Sequence, residues 1–407
     1  MQQRLSSVDR ESSLARLLHP LTVDSFLEEI WGVTHYHVSR NCPSYFDGLL
    51  DGSASVDEVV GLFRPDLSLA CTARENDRKH SHVYRLADGG LDVAGIGKDF
   101  ADGYTIVLEN VQRYVRALAL LSHSIEVELN FATQVNAYVT PPESRGFVPH
   151  CDDHDVLILQ IRGSKIWHVY TGADMAPHEI GRQQPVDTAA LPLPTDLHLE
   201  VGDVLYLPRG RVHAAEATSE LSVHLTVGLH APTLLMLVTR ALDSMSHSDD
   251  RVHIQLPPRY LNDPDVRAGL GILVRDVVEA LEEPTVIAQG LGSLEDDLVK
   301  RGQCAPAGQA ISNTVGIDGN TQVMKYQPLY SRVTDTSDGV ALHFAQLVTK
   351  AAPDYKDALQ FLSKNVEPFR ICDIPGLSAA QQTELARSLI ATGFLVRLSG
   401  ERGEANY

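Results

Sequence analysis

No Cys-x-x-Cys pair occurs in the chain, and its five cysteines, Cys42, Cys71, Cys151, Cys304 and Cys372, are scattered and odd in number. This excludes the zinc and redox motifs that closely paired cysteines mark, and it favours a reducing compartment. Nothing approaches the eighteen or so apolar residues of a membrane span, and the stretch from Met1 to Arg16 has no apolar h-region. The expectation is a cytoplasmic protein with no membrane partner. Basic residues are also short, with 34 Lys and Arg against 53 Asp and Glu and a formal charge of -19. Phosphate needs cations to neutralise it, so nucleic acid is not expected as a partner and a basic or neutral protein is. Low-complexity runs are missing too. Apolar residues at 43% and charged residues at 21% sit near globular averages, and 407 residues suggest two or three domains.

Between Tyr104 and Leu229 short apolar runs alternate with turns: Thr105 to Leu108, Gln134 to Val139, Val156 to Ile161, Ile166 to Tyr170, Val204 to Leu207 and Leu221 to Leu229. Such spacing predicts an antiparallel sandwich or jelly roll. Ahead of it, Thr22 caps a helix with Phe26, Leu27, Ile30 and Trp31 on one face and Gly32 as its stop. Behind it, Pro232 starts a helix over Thr233 to Leu242. Asp263 and Pro264 then start another, whose Val266, Leu270, Leu273, Val274, Val277 and Leu281 repeat at helical spacing until Pro284. Gly and Gln from Gln289 to Gln322 predict a linker or an irregular connection. Last comes a small module in which Ser378 and Gln381 form a capping box, Leu385 and Leu389 share a helix face, Gly393 stops the helix, and Phe394 to Leu398 extends. A winged helix fits this order.

Chemistry concentrates in Phe147-Val148-Pro149-His150-Cys151-Asp152-Asp153-His154-Asp155. On a strand, His150 and Asp152 would share a face and offer an imidazole and a carboxylate to one ion. A His-x-Asp alone is weak, and His247-Ser248-Asp249 repeats it in a polar cluster without a strand. The first instance gains weight from Val201 to His213, which delivers His213 just after a Pro/Gly turn. Two histidines and one carboxylate leave open positions on an octahedral ion, as Fe(II) enzymes that bind a co-substrate and O2 together require. His154 lies about 7 Å beyond Asp152 along an extended chain and reads as a rim histidine.

With these residues in view, Asn136 to Tyr170 together with Gly202 to Gly228 is similar to the ribosomal-oxygenase branch of the JmjC cupins. The resemblance implies an α+β protein with a double-stranded β-helix core, and an Fe(II)- and 2-oxoglutarate-dependent dioxygenase that hydroxylates a side chain of a protein or peptide substrate. It implies His150, Asp152 and His213 as metal ligands and Lys165 as the partner of the 5-carboxylate of 2-oxoglutarate. A lysine starting the strand beside the metal ligands has the charge that a buried carboxylate needs. Asn136 and Tyr138 are implied to line the pocket, with His224 and Thr226 near the co-substrate. Expected domains are residues 1–230 for the JmjC cupin, 231–315 for a helical dimerisation domain and linker, and 316–407 for the winged helix, with a homodimer through the helices. Two departures stand out. Relatives that hydroxylate histidine place a serine where this chain has Gly228, and a polar residue near Val107, so the substrate is less constrained than the chemistry. An N-methyl demethylase and a non-catalytic cupin binding module are the alternatives.

Overall fold

The computed structural model describes residues 13–50, 61, 70–74, 77–80, 84, 86–88, 90, 92–176, 178, 186–187, 189–302, 304–305, 316–326 and 330–398. These fall into two compact units, Met1–Ala231 and Pro232–Tyr407. No described helix is long and apolar enough to cross a membrane.

The described strands of the first unit are β1 (Tyr36–Val38), β2 (Ala70–Arg74), β3 (Asp77–His80), β4 (Thr105–Leu108), β5 (Ala132–Thr140), β6 (Asp155–Arg162), β7 (Lys165–Val169), β8 (Thr195–Leu199), β9 (Val204–Leu207), β10 (His213–Ala217) and β11 (Ser222–His230). Eight form one sheet in the order β1-β9-β6-β11-β5-β4-β2-β3, and β10-β7-β8 form a second, with antiparallel pairing throughout. This is the jelly roll that evenly spaced apolar runs predict. All six runs fall on strands, whereas β8 and β10, which are short and partly polar, are not announced by apolarity.

Side-chain parity decides what each face does. On β11, Val223, Leu225, Val227 and Leu229 are buried in one core together with Val135, Ala137 and Val139 of β5. The helices α1 (Ser13–Leu18), α2 (Val93–Ala101) and α3 (Arg116–Leu129) supply Leu14, Leu17, Leu18, Ile96, Leu118 and Ile125 to that core. The opposite parity, with His224 and Thr226 of β11 and Tyr138 of β5, faces the cavity between the sheets. A second, smaller core of Val156, Ile158, Trp167, Val169, Leu199, Leu205 and Leu207 joins the two sheets. Burying leucine-sized side chains on both sides of the large sheet contributes roughly 1.5–3 kcal/mol each, which is what holds the cavity walls in place.

Thr22 does cap the short helical segment Val23–Ser25, accepting from the Ser25 backbone N–H. The next turn, Phe26–Ile30, widens to π geometry and buries Phe26 while leaving Leu27 exposed, so Leu27 is not part of the packed face.

In the second unit, α4 (Leu234–Met245), α5 (Pro264–Leu281) and α6 (Pro284–Val299) are followed by α7 (Lys356–Lys364) and α8 (Ala379–Ala391). Asp263 caps α5 with Pro264 at its first position, and Ser378 and Gln381 form the expected capping box on α8. The linker expected from Gln289 is overturned over its first third. Residues 289–299 continue α6, where Ile287, Leu291, Leu294 and Leu298 supply enough apolar spacing to outweigh Gly290 and Gly292. Residues 306–315 of that stretch lie outside the described residues. Two small antiparallel sheets complete the unit. One is β16-β12-β17, from Phe369–Arg370, Gln322–Lys325 and Leu395–Arg397. The other is β13-β14-β15, from Ser331–Thr336, Gly339–Phe344 and Leu347–Ala351.

Candidate metal centre

His150 and Asp152 do not stand on a strand, which corrects the expectation from their spacing. His150 forms an isolated antiparallel bridge with His213, the two backbones exchanging N–H···O bonds of 3.0 and 2.8 Å. The chain then turns freely until β6 begins at Asp155. Asp152 is fixed instead by its carbonyl, which accepts from the Gly210 N–H at 3.0 Å. The Pro208-Arg209-Gly210 turn thus clamps both halves of the site: it presents His213 and anchors the backbone of Asp152.

One ligand atom from each of His150, Asp152 and His213 lies within 4.8 Å of the others, the sole such group of three among the described residues. Both imidazoles are oriented by backbone. Nδ1 of His150 pairs with the Val148 carbonyl and Nδ1 of His213 with the Arg211 carbonyl, each at 2.9 Å. With N–H on Nδ1, each Nε2 is left with a lone pair, the tautomer that metal coordination requires. Burial, with His150 next, holds the His213 imidazole well below its usual range and so neutral. His213 Nε2 stands 3.6 Å from Asp152 Oδ2, somewhat wider than the about 3 Å between adjacent ligands on an ion with bonds of about 2.1 Å. That pair is within a small closure of a coordinating distance, and two imidazoles with one carboxylate are a donor set that fits a single divalent ion with open positions.

The cavity over this centre is walled by Thr105, Tyr138, Phe147, Val156, Ile158, Lys165, Trp167, Ala215, His224 and Thr226, besides the three ligands. Lys165 opens β7 because Gly163, at φ +60°, makes the tight turn before it; a Cβ there would collide with the Leu221 carbonyl oxygen. The Lys165 side chain is 3% exposed, and no described group makes a hydrogen bond or ion pair with it. Burial alone pushes its ammonium down to about 7. A buried cation is stabilised by an anionic partner, so this lysine has the chemistry to hold a carboxylate. His224 stacks face to face on Tyr138 at 4.6 Å, and burial, with Lys165 next, keeps it neutral.

Asn136 stands apart from the walls of this cavity. It is the register partner of Thr226, but its Oδ1 accepts from the Asn110 backbone N–H and from Gln134 Nε2, both at 3.0 Å. His154 does not join the ligands: Nδ1 pairs with Asp153 at 2.7 Å, and its ring stacks on His230 at 4.2 Å. His154 also explains Gly228, since a Cβ there would meet His154 Nε2 at 2.7 Å and His230 Nε2 at 3.2 Å. His247 lies on an exposed turn bonded to the Asp243 carbonyl, and Asp249 pairs with Arg251, far in sequence from any ligand set. Sequence reasoning passed over Thr105, Phe147 and Trp167. For Trp167 the signal was available, because it stands two residues after Lys165 on the same strand face; Thr105 gives none.

Residues 108–237 match the JmjC domain family, which covers the cavity strands β5 to β11. The bifunctional lysine-specific demethylase and histidyl-hydroxylase NO66 of Aedes aegypti is 27% identical over 56% of this chain and 37% of its own length. Ribosomal oxygenase 2 of Mus musculus is 27% identical over 65% of this chain and 59% of its own length. The chain thus spans less than two thirds of the length of these curated relatives. Among solved structures, the ribosomal oxygenase YcfD of Escherichia coli in complex with cobalt and 2-oxoglutarate superposes with a TM-score of 0.60 at 18% identity, covering 93% of this chain and 99% of that one. Residues 108–237 thus match a JmjC domain, and the fold is similar to that of the bacterial protein.

Proposed function

We propose that the protein is an Fe(II)- and 2-oxoglutarate-dependent oxygenase that hydroxylates an amino-acid side chain of a protein or peptide. The observation that carries this reading is a two-histidine, one-carboxylate set in the same cavity as a buried, unpaired lysine. In it His150, Asp152 and His213 hold the metal, and Lys165 binds the far carboxylate of 2-oxoglutarate. Fe(II) bound there, with O2 and 2-oxoglutarate, supplies the oxidation that turns an unactivated C–H into C–OH while the co-substrate becomes succinate and CO2. The chain's own work is positional. The Val148 and Arg211 carbonyls hold the imidazole tautomers, Lys165 fixes the co-substrate's orientation, and Trp167, Val156 and Ile158 exclude water. The names of the relatives support a protein substrate, and one of them includes demethylation. Hydroxylation of an N-methyl carbon uses the same centre, and product mass separates the outcomes.

The finer architecture belongs to the same proposal. We read α4 to α6 as a dimerisation surface, because Leu234 and Leu235 are each 75% exposed, Ile272 60% and Val274 61%. Apolar faces of that extent are seldom left in water. The stripe of α5 is only half-covered by its own chain, which favours a homodimer over packing within one chain. The C-terminal sheets with α7 and α8 fit a winged helix, while the charge of -19 argues against nucleic acid. A cytoplasmic location follows the scattered cysteines.

The test is turnover of 2-oxoglutarate to succinate by the purified, Fe(II)-loaded protein. Asp152→Ala is expected to abolish it, and an Asp152→Ala protein with full turnover would refute the assignment.

A further inference from the structure

Trp167 carries an unused hydrogen-bond donor. The residue is 5% exposed, and its Nε1 has no acceptor among the described residues. A buried N–H without a partner is costly and uncommon, so it calls for an account. Packing explains the ring but not the nitrogen: Trp167 closes the small core between the sheets, a task that an apolar ring of the same size would perform.

Position narrows what the donor serves. Trp167 is two residues beyond Lys165 on β7, so both side chains project from the same face into the same cavity. Its ring centroid lies 5.8 Å from that of His213 and 5.4 Å, edge to face, from that of His224, which lines the same cavity as Lys165. It therefore spans the interval between the metal ligands and the lysine. The cavity's polar walls do not satisfy it. The Thr105 hydroxyl is bonded to Thr140, and Asp152 belongs to the metal set. His224 Nδ1 is unpartnered as well. The end of the cavity that holds Lys165 thus presents buried nitrogens and no protein anion.

Resting on the function proposed above, we propose that the Trp167 indole N–H is a positioning donor to the 2-oxoglutarate carboxylate that Lys165 neutralises. A carboxylate has room for several donors, and one ammonium leaves most of its lone pairs unmet. Lysine is a point charge on a flexible stem, so it supplies attraction without fixing the plane of the carboxylate. A second donor on a rigid ring two residues along the strand fixes that plane and the aim of the keto-acid end at the metal.

The test is calorimetric binding to the full-length protein loaded with Mn(II), without O2, so that no turnover enters. Two probes are used: 2-oxoglutarate, and 2-oxopentanoate, which has the same chain but lacks the far carboxylate. Two variants are used as well, Trp167→Phe and a protein with 3-benzothienylalanine at position 167, which keeps the ring's shape and replaces N–H by sulfur. The expected result is a 2-oxoglutarate Kd raised about 10- to 100-fold in both variants, the range for losing a bond to a charged group. Binding of 2-oxopentanoate and of Mn(II) is expected to stay as in the wild type. Wild-type affinity for 2-oxoglutarate in the benzothienyl protein would overturn the assignment, as would equal losses for both probes. A wild-type protein that binds no 2-oxoglutarate would overturn the proposed function itself, and the Trp167 assignment with it.

Discussion

Replacing Lys165 by methionine should make the protein more stable and functionally inert at the same time. The ammonium is pushed from 10.5 down to about 7 by burial alone, with no acid to compensate. At 1.36 kcal/mol per unit, a fall of about 3.5 units means that charging this group costs the folded state about 5 kcal/mol. The sign follows from proton binding. Between pH 7 and 10.5 the unfolded chain keeps the proton that the folded chain releases, so this group's contribution to stability rises with pH across that window and is least favourable below pH 7. Methionine removes the cost and keeps an apolar stem of similar length. Lys165→Met is therefore expected to gain several kcal/mol at pH 6, less at pH 8, and little near pH 10. Urea unfolding followed by tryptophan emission reads it, because Trp31 and Trp167 are the chain's two tryptophans and both lie in the cupin unit. The wild type with Mn(II) should also gain about 2.7 kcal/mol from 2-oxoglutarate at 100 times its Kd, and the variant nothing. A destabilised variant, or a gain that does not change with pH, would refute the account of an uncompensated buried cation.

Gly228→Ser should cost about 1–3 kcal/mol, because its Cβ would press on His154 Nε2 at 2.7 Å. His154→Ala should relieve most of that cost, and urea midpoints that simply add would contradict the contact. Tyr206→Phe should lose about 1–3 kcal/mol in the same assay, since the Tyr206 hydroxyl donates to Asp155 at 2.6 Å in a buried bond and accepts from the Gly32 N–H at 2.9 Å in a partly buried one. An unchanged midpoint would mean that water replaces it. Aspartate at Leu235 and Val274 should halve the mass seen by light scattering; a wild-type mass of one 44.5 kDa chain would remove the dimer proposal.

Much of the cupin was legible because its strands are two-sided. Val223 to Leu229 alternates between a leucine-lined core and a polar cavity wall, so period and burial agree. β8 and β10 were hidden because a short strand in the smaller sheet needs little apolar surface; Thr195–Leu199 is mostly exposed. The candidate ligands were legible as residue types that could meet, but not in how the chain brings them together. His-x-Asp suggested a strand, whereas the pair is held by a bridge to His213 and by the Gly210 N–H, long-range bonds that no local pattern encodes. Asn136 has the right parity, yet Gln134 and the backbone of Asn110 engage its side-chain oxygen. Helix α6 outlasted its glycines because apolar spacing outweighed propensity, and Gly290 allows Ala241 of α4 to approach it closely.

The central claim is that His150, Asp152 and His213, rather than the second His-x-Asp at His247, form one iron site. Anaerobic equilibrium dialysis with Fe(II), read by elemental analysis, tests it directly. Close to one Fe(II) per chain is expected for the wild type and for His247→Ala, with loss of most bound iron in His213→Ala. Iron retained by His213→Ala, or lost from His247→Ala, would contradict it.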